Sequence, residues 1–506
     1  MRVRSQLAMS ATVTAAVAML VSTPASAASD SAAPSPGAPG IGDPYYPGDG
    51  NGGYDVSHYD IRLSYKPFRD ELWGTTTVTA TATQDLSRFN LDFLLKVDSV
   101  RVNNAVAATR SKDGELVATP ARPIAKGTVM TIVVSYKDTP GKYERYGYNA
   151  WKIGADGGAL AADEPQIAPW WYPSNDHPLD KATFDVSVAA PKDYKVISNG
   201  VLVGTQQQID GWVRWNWRSV KPQGTYETLL AVGKFELRNQ TEPNGQSFVT
   251  AYGDDLIYGD AARASVERTP EIVEFQETQF GPYPFEAQGG VVSTAIAFAL
   301  ENQTRPIYSD RFFRRGSNTY VVAHENAHQW FGDSVSVAEW KEIWLNEGFA
   351  TYAEYLWSEY LGEGTPAQLA QYTYDSIPAE DPFWQVLPGD PSAAGQFDDA
   401  VYDRGAMTLQ ALRTAMGDAA FFKTLRTWTA DHQYGNVTTE QFRVLAEKTS
   451  GKDLGALFTT WLYTAGKPAV GPNGPTTAGR SGVEPRSFRA IQETHEMLAH
   501  SGHGHT

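Results

Sequence analysis

The hydrophobic pattern of this chain changes its period at about residue 245, and this change constrains the fold most strongly. In the first part, Tyr59, Ile61, Leu63 and Tyr65 alternate with polar residues. An alternation with period two is typical of half-buried β-strands. Beyond residue 245 the apolar residues recur at helical spacing. The sequence therefore predicts an α+β chain, with an all-β first part and a mainly helical second part.

Caps and stop residues locate the helices of the second part. Thr438 and Gln441 have the spacing of a capping box, and glycines follow several apolar periodic runs, as expected at helix ends. The predicted helices span residues 317–332, 344–361, 400–416 and 453–464.

The two ends of the chain do not look like parts of the folded core. Arg2 and Arg4 precede a charge-free apolar run that ends in Ala25-Ser26-Ala27, which is the pattern of a secretory signal peptide. The alternative is an anchoring helix, but the run is shorter than the ~20 residues that span a membrane. The predicted segments are a signal peptide (1–27), a flexible linker (28–42), an N-terminal β domain (43–245), a mainly helical domain (246–467) and a solvated tail rich in Gly, Pro and His (468–506).

Composition excludes several classes of site and partner. The 506 residues include no cysteine, so disulfides, cysteine-ligated zinc, iron–sulfur clusters and thiol nucleophiles are all excluded. The formal net charge is −16, which argues against nucleic acid as a partner, because that binding depends on Lys and Arg neutralising phosphates.

The segment His324-Glu325-Asn326-Ala327-His328 carries the strongest chemical signature. Two histidines four residues apart project from one face of a helix, where both can bind one zinc ion. Glu325 lies one residue further round the helix, within reach of a water on the metal. The alternative is a helix with two ordinary histidines.

Catalytic zinc takes three protein ligands and leaves one position open. Without cysteine, the third ligand must be His, Asp or Glu, and Glu347 lies at the start of the next predicted helix. That helix can fold back antiparallel and bring its first turn to the metal. Glu347 could instead be an acid that is favoured near a helix N-terminus.

Together, His324-Glu325-x-x-His328 and Glu347 resemble the gluzincin zinc signature, and within that group the chain resembles the M1 family of metallo-aminopeptidases. Ala299-Leu300-Glu301-Asn302 is similar to the exopeptidase motif Gly-x-Met-Glu-Asn of that family, with Phe298 and Leu300 as departures. Tyr402-Asp403-Arg404-Gly405-Ala406 resembles the segment of its catalytic tyrosine, and Glu164-Pro165 the segment of its second amine-anchoring residue. The likeness covers about residues 43–467, and the large C-terminal helical domain of longer members has no counterpart.

The resemblance implies a saddle-like β domain followed by a thermolysin-like catalytic domain, and it implies roles for particular residues. The zinc ligands would be His324, His328 and Glu347, the catalytic residues Glu325 and Tyr402, and the substrate-binding residues Glu301, Asn302, Glu164 and Ala299.

We therefore expect a secreted, monomeric aminopeptidase with one zinc ion per chain. Its substrates would be peptides with a free N-terminus, and no membrane anchor would remain after signal removal. The alternatives are an endopeptidase or a non-peptide hydrolase on the same scaffold, kept open by Phe298, and an inactive peptide-binding protein.

Overall fold

The computed structural model describes residues 33–475 and 483–501, and every structural statement below refers to these residues. The predicted signal peptide lies outside them. Among the described helices, none combines the length and the apolar composition that a membrane span requires.

The first part of the chain is built from β-strands, as the alternating pattern predicts. These are β1 Ser35–Pro36, β2 Tyr54–Lys66, β3 Glu71–Ala82, β4 Leu86–Asp92, β5 Val97–Val102, β6 Ala105–Val106, β7 Ala108–Lys112, β8 Glu115–Thr119, β9 Val129–Asp138, β10 Trp151–Ile153, β11 Ala159–Ala161, β12 Ala182–Pro191, β13 Lys195–Ser198, β14 Val201–Gln207, β15 Trp212–Gln223 and β16 Leu230–Gly233.

The largest of these sheets has the strand order β14-β15-β12-β2-β3-β9-β5-β6. Its strands pair antiparallel except for β12 and β2, which run parallel. In β2 the side chains of Tyr59, Ile61, Leu63 and Tyr65 are fully buried, so the alternation places one face of the strand in the core. Two four-stranded sheets, β1-β4-β8-β7 and β10-β11-β16-β13, complete this part.

The second part combines one mixed sheet with helices. The sheet has the order β17-β18-β19-β21-β20, with β17 Phe235–Thr241, β18 Ser247–Gly253, β19 Ala287–Ser293, β20 Ala299–Leu300 and β21 Ile307–Ser309. A short parallel pair joins β22 Ser336–Val337 to β23 Asn436–Val437.

The α-helices are α1 Gly259–Val266, α2 Thr269–Phe280, α3 Thr319–Ala327, α4 Trp344–Leu361, α5 Pro366–Ser376, α6 Asp399–Met416, α7 Asp418–Asp431, α8 Thr439–Ser450, α9 Gly455–Leu462 and α10 Phe488–Ser501. Short 3₁₀ turns span Pro140–Lys142, Ala168–Trp170, Ile209–Gly211, Asp310–Phe313, Trp340–Glu342 and Pro382–Gln385.

Local capping chemistry sets several helix ends where the sequence predicts them. The side chain of Asn318 accepts hydrogen bonds from the first backbone amides of α3. Gly362 ends α4 in the left-handed conformation, which favours glycine. Thr438 and Gln441 form the predicted capping box of α8. The α+β fold class, with a β-rich part followed by a helical part, is thus confirmed.

Some predicted features differ from the structure. Helix α3 ends at Ala327 instead of Gly332, because residues 328–330 form turns and Phe331 forms a β-bridge with Val335. The boundary predicted between residues 245 and 246 falls in the turn of a hairpin, since β17 and β18 pair antiparallel in one sheet. Because of that pairing, the residues on both sides of the predicted boundary belong to one sheet.

The linker and tail predictions also need correction within the described residues. Ser35–Pro36 pairs with β4 instead of forming part of a free linker. Residues 488–501 form helix α10, in which Ile491, His495 and Leu498 are buried. The apolar residues of α10 recur every three or four positions, so one face of the helix packs on the protein and the solvated-tail prediction is wrong here.

Candidate metal and peptide site

Helix α3 carries the two histidines and the glutamate of the zinc signature. His324 and Glu325 lie in its last turns, and His328 follows its last residue with helical backbone angles. All three side chains are buried. The helical spacing brings both imidazoles to one cavity, as predicted.

Helix α4 brings the third predicted metal ligand to the same cavity. Glu347 lies in the first turn of α4, and its Oε2 is 3.3 Å from Nε2 of His324 and 3.4 Å from Nε2 of His328. One ligand atom from each residue lies within 4.8 Å of the other two. The structure thus gathers the whole predicted ligand set, although Glu347 is remote from the histidines in sequence.

The outer nitrogens of both imidazoles are fixed by acceptors. Nδ1 of His324 lies 2.7 Å from Oε1 of Glu354, and Nδ1 of His328 lies 3.0 Å from the carbonyl oxygen of Phe331. A proton on each Nδ1 satisfies these acceptors, so each Nε2 presents its lone pair to the carboxylate of Glu347. Two lone pairs facing a carboxylate need a cation between them, and a His₂Glu set with fixed tautomers is the donor set of catalytic zinc.

The electrostatics of the cavity also favour a bound cation. Burial opposes charge on the histidines, yet the surrounding carboxylates raise the pKa of His324 to about 8 and that of His328 to about 10. Burial would raise the pKa of Glu347, but His328 and His324 lower it to about 2. The cavity therefore favours positive charge, and its residues fit a zinc ion.

Glu325 faces the same cavity, and one of its carboxylate oxygens is not engaged by the described residues. Its Oε1 is buried and has no hydrogen-bond partner among the described residues. Burial raises its pKa to about 8, with Glu301 and Glu347 adding to the effect against the two histidines. A carboxyl group with these properties can exchange protons near neutral pH.

Glu301 enters the cavity from the mixed sheet. It follows β20, whose Ala299 also lines the cavity, and the side chain of Gln329 donates to its carbonyl oxygen over 2.8 Å. Its carboxylate Oε1 is buried without a partner among the described residues. The side chain of Asn302 does not point to Glu301 but donates to the carbonyl oxygen of Glu227 over 3.1 Å.

Glu164 reaches the cavity from the first part of the chain, in the segment after β11. One oxygen each of Glu164, Glu301 and Glu347 lies within 4.8 Å of the others. Oε1 of Glu164 is buried and, among the described residues, has no partner. Burial and the neighbouring Glu301 and Glu347 raise the pKa of Glu164 well above its usual range. Among the described residues, no Lys or Arg side chain pairs with Glu164 or Glu301, and a substrate ammonium group would supply such a positive partner.

Helix α6 places Tyr402 beside the metal ligands. Its ring stacks on His324, with the ring centroids 6.0 Å apart and the planes 25° apart. The approach is possible because α6 crosses α4 at two glycines: a Cβ added at Gly348 would lie 2.9 Å from Cα of Gly405. Tyr402 lines the cavity, and burial raises its pKa well above the usual range, so it stays protonated.

The cavity itself is small. Its volume is about 20 Å³, the room of roughly one water molecule. Phe298, which differs from the exopeptidase motif, lines it together with Leu300 and Leu498. Phe298 therefore contributes to the wall of the site.

Sequence analysis missed two residues behind the ligands. Glu354 holds His324 and lies seven residues after Glu347, two turns along the same helix, so its position on the ligand-bearing face was available as a signal. His495 contacts Glu354 from helix α10. Its only sequence signal is the periodicity of Phe488, Ile491, His495 and Leu498 in a region interpreted as a tail.

A β-rich part, a helical part and a buried His₂Glu site with a free glutamate define the class of zinc metallopeptidases. The comparisons identify the family. Residues 56–226 match the peptidase M1 N-terminal domain, and residues 265–461 match the peptidase family M1 domain. The chain belongs to the M1 family of zinc metallopeptidases, which confirms the resemblance found in the sequence.

Solved structures and curated relatives agree with this assignment. The M1 zinc metallopeptidase from Deinococcus radiodurans superposes with a TM-score of 0.76 at 29% identity, over 87% of this chain and 100% of that one. A mutant of that enzyme bound to a Tyr-Ser-Ala substrate also matches, with a TM-score of 0.76 over 85% of this chain and 99% of that one at 29% identity.

Among curated relatives, aminopeptidase N from Streptomyces lividans is 29% identical over 61% of this chain and 38% of its own length. The human thyrotropin-releasing hormone-degrading ectoenzyme is 26% identical over 61% of this chain and 31% of its own length. The match therefore spans less than half the length of these relatives.

Proposed function

We propose that the protein is a zinc aminopeptidase that removes the N-terminal residue from peptides. The observation that carries this proposal is the pair of buried, unpartnered carboxylates of Glu164 and Glu301 beside the metal ligands. An α-ammonium group placed between them would form charge-assisted hydrogen bonds and would fix the end of the chain one residue from the metal.

The proposed chemistry uses each residue of the cavity in one role. Zinc held by His324, His328 and Glu347 would lower the pKa of a water molecule and polarise the scissile carbonyl group. Glu325 accepts the proton of the attacking water and delivers it to the leaving amine.

Tyr402 and the motif residues act on the substrate. Tyr402 is protonated and donates a hydrogen bond to the oxygen that gains negative charge in the transition state. Ala299 lies in β20, where the substrate backbone runs beside the cavity. Asn302 supports this segment through its hydrogen bond to the backbone of Glu227, so we assign it a positioning role next to Glu301.

The buried carboxylates of the cavity favour an aminopeptidase over an endopeptidase. A chain that continued past the N-terminal residue would have to pass Glu164 and Glu301, both of which are buried. Relatives named as aminopeptidases support the same choice.

Product analysis by mass spectrometry tests the proposal. A decapeptide with ten different residues should lose one residue at a time from its N-terminus, and a chelator should stop the reaction. Internal cleavage as the first event would instead support the endopeptidase alternative, and no cleavage of any peptide would support an inactive binding protein.

We also propose that the protein is exported and works as a monomer with one zinc ion per chain. Arg2, Arg4 and the cleavage pattern at residues 25–27 support export. N-terminal sequencing of protein recovered from the culture medium should begin at residue 28. Light scattering and metal analysis of the same sample should give the mass of one chain and one zinc.

A further inference from the structure

Helix α10 lies outside the residues matched by the family's sequence models, yet it packs on the metal site. The matched residues end at 461, whereas α10 spans Phe488–Ser501. Its buried face carries Ile491, Thr494, His495 and Leu498. This helix is therefore a feature of the present chain that family recognition does not use.

The helix is anchored to both helices of the metal-binding scaffold. The side-chain amide of Asn318, which caps α3, donates to Oγ1 of Thr494 over 2.9 Å. Before the helix, the hydroxyl groups of Ser487 and Ser358 lie 2.7 Å apart, and Ser358 belongs to α4. Both helices that supply metal ligands thus contact this segment.

His495 forms the closest link between α10 and the metal ligands. Its Nε2 lies 2.8 Å from Oε1 of Glu354, and its Nδ1 lies 3.0 Å from Oδ1 of Asp403. The same Oε1 of Glu354 lies 2.7 Å from Nδ1 of His324. Since His495, Glu354, Asp403 and His324 are all buried, this chain of contacts is shielded from water.

One turn further along, Leu498 lines the catalytic cavity together with Tyr402 and the metal-site residues. Asp403, the second partner of His495, directly follows Tyr402 in α6. The same face of α10 therefore reaches the metal ligand His324 through His495 and Glu354, and it borders the catalytic cavity through Leu498.

We propose that His495 is a positioning residue of the metal site, which holds the carboxylate of Glu354 in the orientation that fixes the zinc ligand His324. A single carboxylate oxygen between two imidazoles has its position set from both sides. Without His495, Glu354 loses one of the two partners that fix this oxygen, and a buried carboxylate that loses a partner rearranges.

The role proposed for His495 depends on the proposed function only in the assumption that the metal is zinc. The zinc affinity of the protein is therefore the deciding measurement. Residues behind the metal ligands typically contribute 10–100-fold to metal affinity. We expect His495→Ala to weaken zinc binding by about 10–100-fold in competition with a chromogenic chelator. His495→Gln, which keeps a side-chain donor for Glu354, should recover part of the loss.

The matched control is Glu496→Ala, which changes an exposed residue of the same helix and should leave the zinc affinity unchanged. Circular dichroism of the zinc-free proteins checks that each variant is folded. Should His495→Ala fail to fold, the comparison of His495→Gln with wild type decides, since a positioning role still predicts weaker zinc binding.

A double-mutant cycle separates positioning from a general loss of structure. If His495 acts through Glu354, His495→Ala should have little further effect on zinc affinity in a Glu354→Gln background. An equal loss in both backgrounds, or an unchanged affinity in His495→Ala, would overturn the proposal. A different metal content would also overturn the proposal. If the wild-type protein bound two metal ions per chain and His495→Ala bound one, His324, Glu354 and His495 would be ligands of a second ion.

The zinc measurement needs no peptide substrate. A wild-type protein that binds zinc but cleaves no peptide would contradict the proposed function and leave the role of His495 to be decided by affinity alone.

Discussion

The metal-binding half and the substrate-binding half of the site differ in whether their polar groups have partners within the protein. In the metal half, His324, His328 and Glu347 come from two packed helices, and each imidazole has its outer nitrogen held by an acceptor. In the substrate half, Glu164 and Glu301 come from different parts of the fold, and each has a buried oxygen without a partner among the described residues.

This difference indicates which ligand each half of the site can bind. The metal half is preorganised, because the contacts behind the ligands fix their orientation before the metal arrives. In the substrate half, burial raises the pKa values of Glu164 and Glu301, and neighbouring carboxylates add to this effect, although His328 opposes it at Glu301. Such groups gain most from a cation, and the α-ammonium group of a peptide can supply it. The following predictions test this division, from the largest effect to the smallest.

Loss of a metal ligand should have the largest effect. His328→Ala removes one of three ligands, so bound zinc and peptide hydrolysis should both fall to background. Metal analysis and a peptide assay on the same sample measure the two quantities. His432→Ala, at a partly exposed histidine outside the cavity lining, is the control and should retain both; full zinc content in His328→Ala would refute the ligand assignment.

Loss of the proton carrier should abolish most of the turnover but spare the metal. Glu325→Gln keeps the shape of the side chain and removes its basicity, so kcat should fall by about 10²–10⁴-fold. Zinc content should stay at the wild-type value. The same substitution at the exposed Glu144 should change neither quantity. Unchanged turnover in Glu325→Gln would remove Glu325 from the mechanism.

Tyr402 lies between the metal-binding half and the substrate-binding half, and its substitution should destabilise the transition state. Tyr402→Phe removes the hydroxyl donor and keeps the ring on His324, so kcat should fall by about 10²–10³-fold with little change in KM. Steady-state kinetics separate the two constants. Tyr360→Phe alters an exposed tyrosine and serves as the reference. A rise in KM alone would indicate a binding role instead.

Loss of an ammonium anchor should have the smallest effect and should depend on the substrate. A hydrogen bond to a charged group contributes about 1.5–3 kcal/mol, so Glu301→Gln should lower kcat/KM for free peptides by about 10–150-fold. Zinc content should not change, in contrast to His328→Ala. A parallel loss of zinc in Glu301→Gln would show that the two halves are not separate.

The sequence predicts the metal half better than the substrate half, for a physical reason. Residues 324, 325 and 328 are close in sequence, and helical geometry alone brings them to one face. The boundaries of α4 follow from Gly362 and those of α8 from a capping box, both local features. Glu301 and Glu164 could be named only through family resemblance, because the contacts that gather them are tertiary.

Helix α10 shows where local reasoning fails. The Gly- and Pro-rich stretch around residue 470 predicts a solvated tail, although residues 488–498 have a helical periodicity. What decides its structure is the surface it covers, formed by α3 and α6, together with the buried acceptors Glu354 and Asp403. None of these partners is near it in sequence.

The most direct test of the account is the ratio of kcat/KM for a peptide and for the same peptide with an acetylated N-terminus. Acetylation removes the positive charge and leaves the scissile bond intact. If Glu164 and Glu301 anchor the ammonium group, the free peptide should be hydrolysed at least about 100-fold more efficiently, as expected for two hydrogen bonds to charged groups. Equal efficiencies would contradict the account, since the unpartnered carboxylates would then have no part in substrate recognition.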